Sequence, residues 1–121
     1  MTRSEIENDL LAWIRSASGN FDHARDEARF ERIALALFRF QFESCAPYAR
    51  LCKSLERTPN TVSQYRDIPA VPTGAFKEFA LRSFPEEATI QTFRTSGTSV
   101  ERRGELHLDT LVLYDLSLIH I

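Results

Sequence analysis

The ten residues IQTFRTSGTS, positions 90–99, decide how the second half of this chain folds and what it is suited to bind. In the first five, positions 90, 92 and 94 share one face of a strand, and positions 91 and 93 share the other. The next five carry no side chain larger than threonine. Gly97 permits the positive φ of a tight turn, and small side chains let backbone N–H groups and hydroxyls approach an anion. The stretch therefore predicts a strand followed by a loop suited to a triphosphate.

The same loop also has a simpler interpretation, which the residues alone leave open. Clusters of Ser, Thr and Gly between periodic segments are usually plain turns. The loop also lacks the Gly-Lys-Ser/Thr ending of a Walker A motif. Its meaning therefore depends on the rest of the chain.

Length and composition indicate one small folded domain without a bias toward nucleic acid. The 121 residues are 43% hydrophobic and include nine Phe, which is too apolar for a disordered chain. A formal charge of −2 and a pI near 5.9 offer no basic surface for nucleic acid. No apolar run approaches the roughly 20 residues that span a bilayer, and the acidic N-terminal segment does not resemble a signal peptide. We therefore expect a cytoplasmic protein with no membrane span and no nucleic-acid partner.

Cysteines and histidines give little reason to expect a metal or redox site. Cys45 and Cys52 fall on one face if both are helical, and we expect them to be buried thiols. His23, His107 and His120 are too scattered in the sequence for a metal cluster. His107 is expected to be a surface residue beside the loop.

Local signals predict two amphipathic helices near the N-terminus. Ser4 and Glu7 form the S-x-x-E pattern of a capping box, and Gly19-Asn20 should stop the first helix. Asp22 is a suitable N-cap for the second helix, which we expect to be buried on more than one side. The positions of its main stripe are Phe30, Ile33, Ala34, Leu37, Phe38 and Gln41.

Prolines and charges organise the following segments. Pro47 suits the first turn of a third helix that should end at Thr58–Asn60. The prolines of residues 67–72 require extended chain, and residues 76–79 predict a short helix or turn. The buried face of the third helix is predicted to be Tyr48, Leu51, Cys52 and Leu55.

Two further predictions concern the residues after the loop. The charged run 101–105 is interpreted as a solvated turn. Asp109 should cap a last apolar helix over residues 111–119. The strand over 90–94 shows no clear neighbouring strand, and a lone or two-stranded sheet is marginal in water. We therefore expect residues 1–121 alone to be neither a stable, active domain nor a tight binder of ATP.

Three pieces of sequence occur in a fixed order along the chain. They are Phe40-Gln41-Phe42 with Pro47-Tyr48 and Leu51-Cys52, then DIPAVP at 67–72 with Phe76-Lys77, and then TSGTS at 95–99. Together they resemble the acyl-protein synthetases, the fatty-acid-activating component of bacterial bioluminescence reductases, and their relatives. That family is similar to the adenylate-forming ligases, whose Ser/Thr-Ser-Gly-Thr-Thr/Ser-Gly loop binds the phosphates of ATP. The resemblance extends from about Phe40 to about Leu118.

The resemblance implies an α/β fold with a helix-rich first half, followed by a strand and a phosphate-binding loop. It also implies that residues 1–121 are the N-terminal part of a single large adenylate-forming domain, because members of the family are several times longer. The chain departs from the family where its loop would end in glycine, since Val100 stands there. The lysine common after the loop in acyl-CoA ligases is absent, and Arg102 and Arg103 lie nearby.

By this resemblance, the longer protein would use ATP and Mg²⁺ to activate a carboxylic (fatty) acid as an acyl-adenylate. It would then pass the acyl group to the thiol of an acyl-accepting protein. The implied phosphate contacts are Ser96, Gly97 and Thr98, with Thr95 and Ser99 shaping the loop. The metal ligand would lie beyond residue 121. No residue is assigned a catalytic role, and Lys77, the lysine nearest the motifs, is a substrate-side or structural candidate.

Two other functions stay open on the sequence. One is an acyl-CoA ligase of the phenylacetate-activating type, which differs in its thiol acceptor. The other is a non-enzymatic helical interaction module, in which the small-residue loop is a plain turn.

Overall fold

The computed structural model describes residues 1–16, 22–95 and 103–119. The elements are α1 (Arg3–Ser16), α2 (His23–Ser44), α3 (Ala46–Ser54), a 3-10 turn (Tyr65–Asp67), α4 (Ala75–Glu78), a second 3-10 turn (Glu86–Ala88), β1 (Gln91–Arg94), β2 (Glu105–Leu108) and α5 (Val112–Ile119). The predicted order of a helix-rich first half followed by a strand is confirmed. The α/β class holds only coarsely, because the two strands form an antiparallel pair rather than a larger mixed sheet. None of the helices in the described ranges is long and apolar enough to cross a membrane.

The capping box of α1 lies two residues earlier than the sequence suggested. Glu5 N–H donates to Thr2 Oγ1 at 3.2 Å, and Thr2 N–H donates to Glu5 Oε2 at 3.0 Å. Thr2 and Glu5 have the same spacing as the predicted Ser4 and Glu7, so the motif was right and its position wrong. The earlier start places Arg3 inside the helix, where its Nε donates to Glu7 Oε1 at 2.7 Å.

Helix α2 begins where Asp22 predicts, but its first turns are less buried than its stripe suggests. Asp22 Oδ1 accepts a hydrogen bond from Arg25 N–H at 2.9 Å, which confirms the cap. Ile33 and Phe38 are buried, whereas Phe30 is 48% exposed and meets only the edge of Tyr65, with ring centroids 5.1 Å apart. The prediction of a buried Phe30 was wrong, because at this position α2 faces solvent and the short turn that contains Tyr65 rather than the core.

The core forms where α2 and α3 meet the extended chain that follows them. Its buried residues are Phe38, Cys45, Tyr48, Cys52 and Val62. Pro47 lies in the first turn of α3, as predicted, and both cysteines are buried and unpaired with each other. Tyr48 Oη donates to the Pro69 carbonyl at 2.7 Å and so fixes the proline-rich segment against α3.

Helix α3 ends earlier than predicted. Its last residue is Ser54, and Glu56 takes a left-handed conformation with φ of 56°. Arg57 N–H then donates to the Cys52 carbonyl at 3.0 Å. This early end turns Leu55 outward, so that it is 51% exposed and not part of the predicted buried face.

The strand partner that the sequence analysis failed to find is β2. It pairs with β1 in the register Gln91↔Leu108 and Arg94↔Glu105. Part of the run interpreted as a solvated turn is therefore strand, because Glu105 pairs across the ladder. The expectation of no neighbouring strand was therefore wrong. The sheet that the structure describes has only these two strands, and a two-stranded sheet is still marginal in water, so the instability of the isolated chain stays a prediction.

Asp109 has a different role from the predicted helix cap. Val112 N–H, at the start of α5, donates to Thr110 Oγ1 at 3.3 Å. Asp109 instead accepts two hydrogen bonds from the Arg3 guanidinium, each at 2.5 Å. This bidentate pair joins the start of α1 to the end of β2, across 106 positions of sequence.

The Arg3–Asp109 pair gives a prediction about stability and pH. The hydrogen bonds from Arg3 hold the pKa of Asp109 below its ordinary value. The pair therefore stabilises the fold above about pH 4, and its contribution is lost as the pH falls through the folded-state pKa. We expect Asp109→Asn to lower the free energy of unfolding by about 1 kcal/mol at neutral pH. The difference in melting temperature from the unmodified chain should shrink as the pH is lowered, and a constant difference would contradict the assignment.

Candidate functional site

Thr95 and Gly104 form the neck of the β1–β2 hairpin, at the base of the loop that carries the predicted phosphate contacts. Thr95 N–H donates to the Gly104 carbonyl at 2.9 Å, and Gly104 N–H donates to Thr95 Oγ1 at 2.9 Å. Thr95, predicted to shape the loop, thus uses its hydroxyl inside the neck. The other predicted site residues, Ser96, Gly97, Thr98 and Ser99, lie outside the described residues, so their contacts stay predictions.

Gly104 lies at the neck with Thr95 close to it and Phe76 in ordinary van der Waals range. A Cβ built at this position would lie 3.2 Å from Thr95 Cγ2 and 3.5 Å from Phe76 Cβ. Phe76 belongs to α4, so the same glycine packs the hairpin against that short helix. The base of the loop and α4 are therefore held in fixed relation to each other.

One face of the hairpin carries a connected polar network. Arg94 Nε donates to Glu105 Oε1 at 3.3 Å, and Glu105 Oε2 lies 3.6 Å from His107 Nε2. His107 Nδ1 lies 3.0 Å from Thr92 Oγ1 on the opposite strand. The four residues share a face because alternate positions of each strand point the same way and the register places them opposite each other.

His107 is not the surface residue that the sequence analysis expected. Its side chain is only 11% exposed, because it lies between the hairpin partner Thr92 and the neighbouring Glu105. The missed signal was the alternation of Glu105, Leu106, His107 and Leu108, which is the period of a strand with one apolar face.

A polar cleft of about 380 Å³ lies between α4 and the hairpin. The helix contributes Lys77 and Glu78 to its wall, and the hairpin contributes Arg103, Glu105 and His107. Lys77 had been singled out from the sequence, and the structure brings it to the same cleft as Arg103. The cleft therefore combines cations from two elements beside the neck of the candidate phosphate loop.

A second, mainly apolar cavity of about 360 Å³ lies nearer the core. Its wall includes Cys45, Ile68, Leu81 and Leu106, and Phe76 lines both this cavity and the polar cleft. Sequence reasoning gave no indication of it, because its lining comes from four separate parts of the chain. It is large enough for a small apolar ligand.

The two thiols are held as unreactive groups. Burial raises the pKa of Cys52, and Cys45 is only 6% exposed. A neutral, enclosed thiol is a poor nucleophile. This environment agrees with the interpretation of both residues as buried thiols, and neither is a candidate to carry an acyl group.

The described residues fit the phosphates of a nucleotide better than they fit its metal ion. Within residues 1–16, 22–95 and 103–119, no group of three or more His, Cys, Asp and Glu side chains is placed to hold a metal. Lys77 and Arg103 offer the charge that phosphate oxygens require. Mg²⁺ binding therefore stays an expectation from the resemblance alone.

Comparisons of the chain with protein-family models, with curated proteins and with solved structures gave no match. The functional argument accordingly depends on the residues and on the geometry of the hairpin and its cleft.

Proposed function

We propose that this chain supplies the phosphate-binding loop of an ATP-dependent ligase. The ligase activates a carboxylic (fatty) acid as an acyl-adenylate and passes the acyl group to the thiol of an acyl-accepting protein. The observation that carries the proposal is the hairpin. Its neck is held by two hydrogen bonds between Thr95 and Gly104, one between backbone groups and one from the Gly104 N–H to the Thr95 hydroxyl. Residues 96–99 (SGTS) follow that neck directly. A loop fixed at its base can present N–H groups and hydroxyls without reorganisation during the reaction.

The chemistry requires firm placement of the leaving pyrophosphate. A carboxylate oxygen of the acid attacks the α-phosphorus of ATP, and the bond from that phosphorus to the bridging oxygen breaks. Its electrons go to pyrophosphate, which gains negative charge as it leaves. Donors on the loop would offset that charge and keep the reacting groups in line. In the second step the acceptor thiolate attacks the acyl carbon, and AMP departs.

The contribution of this chain to that reaction is the handling of phosphate. The candidate contacts are Ser96, Gly97 and Thr98, and Thr95 holds the loop closed through Gly104. The acid, the acceptor and the Mg²⁺ ligands would be bound by parts of the ligase beyond these residues.

Exchange of radiolabelled pyrophosphate into ATP tests the proposal. The protein encoded by the complete open reading frame that contains this chain should catalyse this exchange when a carboxylic acid is supplied, because adenylate formation is reversible. Short and long acids should each be tested separately, and a reaction without any acid is the control. Absence of acid-dependent exchange across the panel would overturn the adenylation proposal.

The second half-reaction separates the two ligase classes. The acyl-protein synthetase class predicts a labelled acyl group on protein, sensitive to hydroxylamine, whereas an acyl-CoA ligase would label coenzyme A. Formation of acyl-CoA alone would retain the adenylation step and overturn the proposed acceptor.

A further inference from the structure

The carboxylate of Glu105 in the polar cleft is already engaged by its own strands. Its Oε1 accepts from Arg94 Nε at 3.3 Å, and its Oε2 faces His107 Nε2 at 3.6 Å. Glu78, the other carboxylate of the cleft, also takes part in an interaction of its own. Neither acidic group is therefore a spare counter-ion for a cation at the mouth of the cleft.

Lys77 and Arg103 are two cations of the polar cleft whose charges Glu105 and Glu78 do not offset. Both are exposed, both line the cleft, and neither forms an ion pair with a residue that the structure describes. They come from different parts of the chain, Lys77 from α4 and Arg103 from the position directly before Gly104 at the neck of the hairpin. Two unpaired cations facing one cleft repel each other, and this repulsion is relieved when an anion binds between them.

The positions of Lys77 and Arg103 are tied to the neck of the loop. Arg103 directly precedes Gly104, and Lys77 directly follows Phe76. Gly104 packs beside Phe76, since a Cβ added at Gly104 would lie in van der Waals contact with Phe76 Cβ, at 3.5 Å. Each cation is therefore one residue from the same contact, and both lie beside the neck formed by Thr95 and Gly104.

We propose that Lys77 and Arg103 form a phosphate subsite at the mouth of the cleft between α4 and the hairpin. This subsite rests on the proposed function. It would hold the terminal phosphates of the nucleoside triphosphate that the loop binds. A guanidinium donates two parallel hydrogen bonds to phosphate oxygens, and an ammonium adds a compact charge. The pair supplies the cationic contacts that residues 95–99, which are all Ser, Thr or Gly, lack.

The subsite is tested with inorganic tripolyphosphate as the probe. Titration of the ¹⁵N-labelled complete protein should shift the amides around Lys77 and Arg103, with weak affinity and a dependence on salt. Lys77→Met or Arg103→Gln should each weaken binding about threefold, and the double variant about tenfold, the scale of exposed charge contacts. Lys77→Arg retains the charge and should bind nearly as the unmodified chain does.

Matched controls separate a subsite from a general effect of net charge. Lys53→Met and Arg50→Gln remove the same charges from α3, and neither residue lines the cleft. These two variants should bind tripolyphosphate as the unmodified chain does. Equal weakening by control and cleft variants, or shifts elsewhere in the chain, would overturn the subsite.

The outcome can be distinguished from that of the proposed function. The same variants in the complete protein should raise the apparent KM for pyrophosphate in the exchange reaction. If exchange proceeds but the cleft variants leave this KM unchanged, the subsite is wrong and the ligase proposal stands. If exchange is absent but tripolyphosphate binding depends on Lys77 and Arg103, the subsite stands and the ligase proposal falls.

Discussion

Replacement of Phe38 by alanine should lower the free energy of unfolding by about 3–5 kcal/mol, the usual cost of truncating a buried aromatic ring. Phe38 is 2% exposed, and its ring meets those of Phe42 and Tyr48 with centroids 6.3 and 6.1 Å away. Truncation would remove both edge-to-face contacts and leave a cavity between α2 and α3. A small domain has roughly 5–15 kcal/mol of total stability, so much of it would be lost.

Phe30→Ala is the matched control for this prediction. It makes the same chemical change on the same helix, but Phe30 is 48% exposed and its ring meets only the edge of Tyr65. Its cost should stay near 1 kcal/mol, the scale of one aromatic pair. Urea titration of both variants, followed by circular dichroism, gives the comparison. Equal losses would contradict the position of the core between α2 and α3.

Thr98→Val should slow acid-dependent pyrophosphate exchange by the complete protein about 10- to 100-fold. The substitution exchanges a hydroxyl for a methyl group and keeps the shape of the side chain. If Thr98 donates to a phosphate oxygen in the transition state, its loss costs about 1–3 kcal/mol, and each 1.4 kcal/mol is a tenfold change in rate. The contact should stabilise the transition state more than bound ATP, because charge develops on pyrophosphate only during the reaction. The exchange rate should therefore fall even at saturating ATP.

Thr89→Val is a suitable control for the loop variant. Thr89 Oγ1 is buried and has no hydrogen-bond partner within the part of the chain that the structure describes, so its replacement by a methyl group removes no contact. Exchange by this variant should match that of the unmodified protein. If Thr98→Val also leaves exchange unchanged, Thr98 only fills space in a turn.

The functional proposals depend on different parts of the chain and therefore fail separately. The loop assignment comes from residues 95–99 and the resemblance, and the subsite comes from the contact of α4 with the neck of the hairpin. A negative result with Thr98→Val would leave the cation pair untouched. A negative result with Lys77→Met would leave the loop assignment untouched.

Features set by neighbouring residues could be predicted from the sequence alone. The cap at Asp22 and the proline in the first turn of α3 were found because both act within one turn of helix. The burial of Cys45 and Cys52 was found because small apolar side chains at helical spacing favour the core. Composition and order also define the small-residue loop 95–99, but its role as a binding site stays a prediction.

Features set by distant residues were decided only by tertiary structure. Glu105 became part of a strand because β1 offered it a hydrogen-bonding edge, although its charged neighbours favour a turn. His107 was buried by the same pairing, and Asp109 was drawn to Arg3 from 106 residues away. The cleft that is lined by both Lys77 and Arg103 forms because the hairpin packs against α4, where Gly104 lies beside Phe76. Local propensity carries no information about such contacts, because their free energy appears only when separate segments meet.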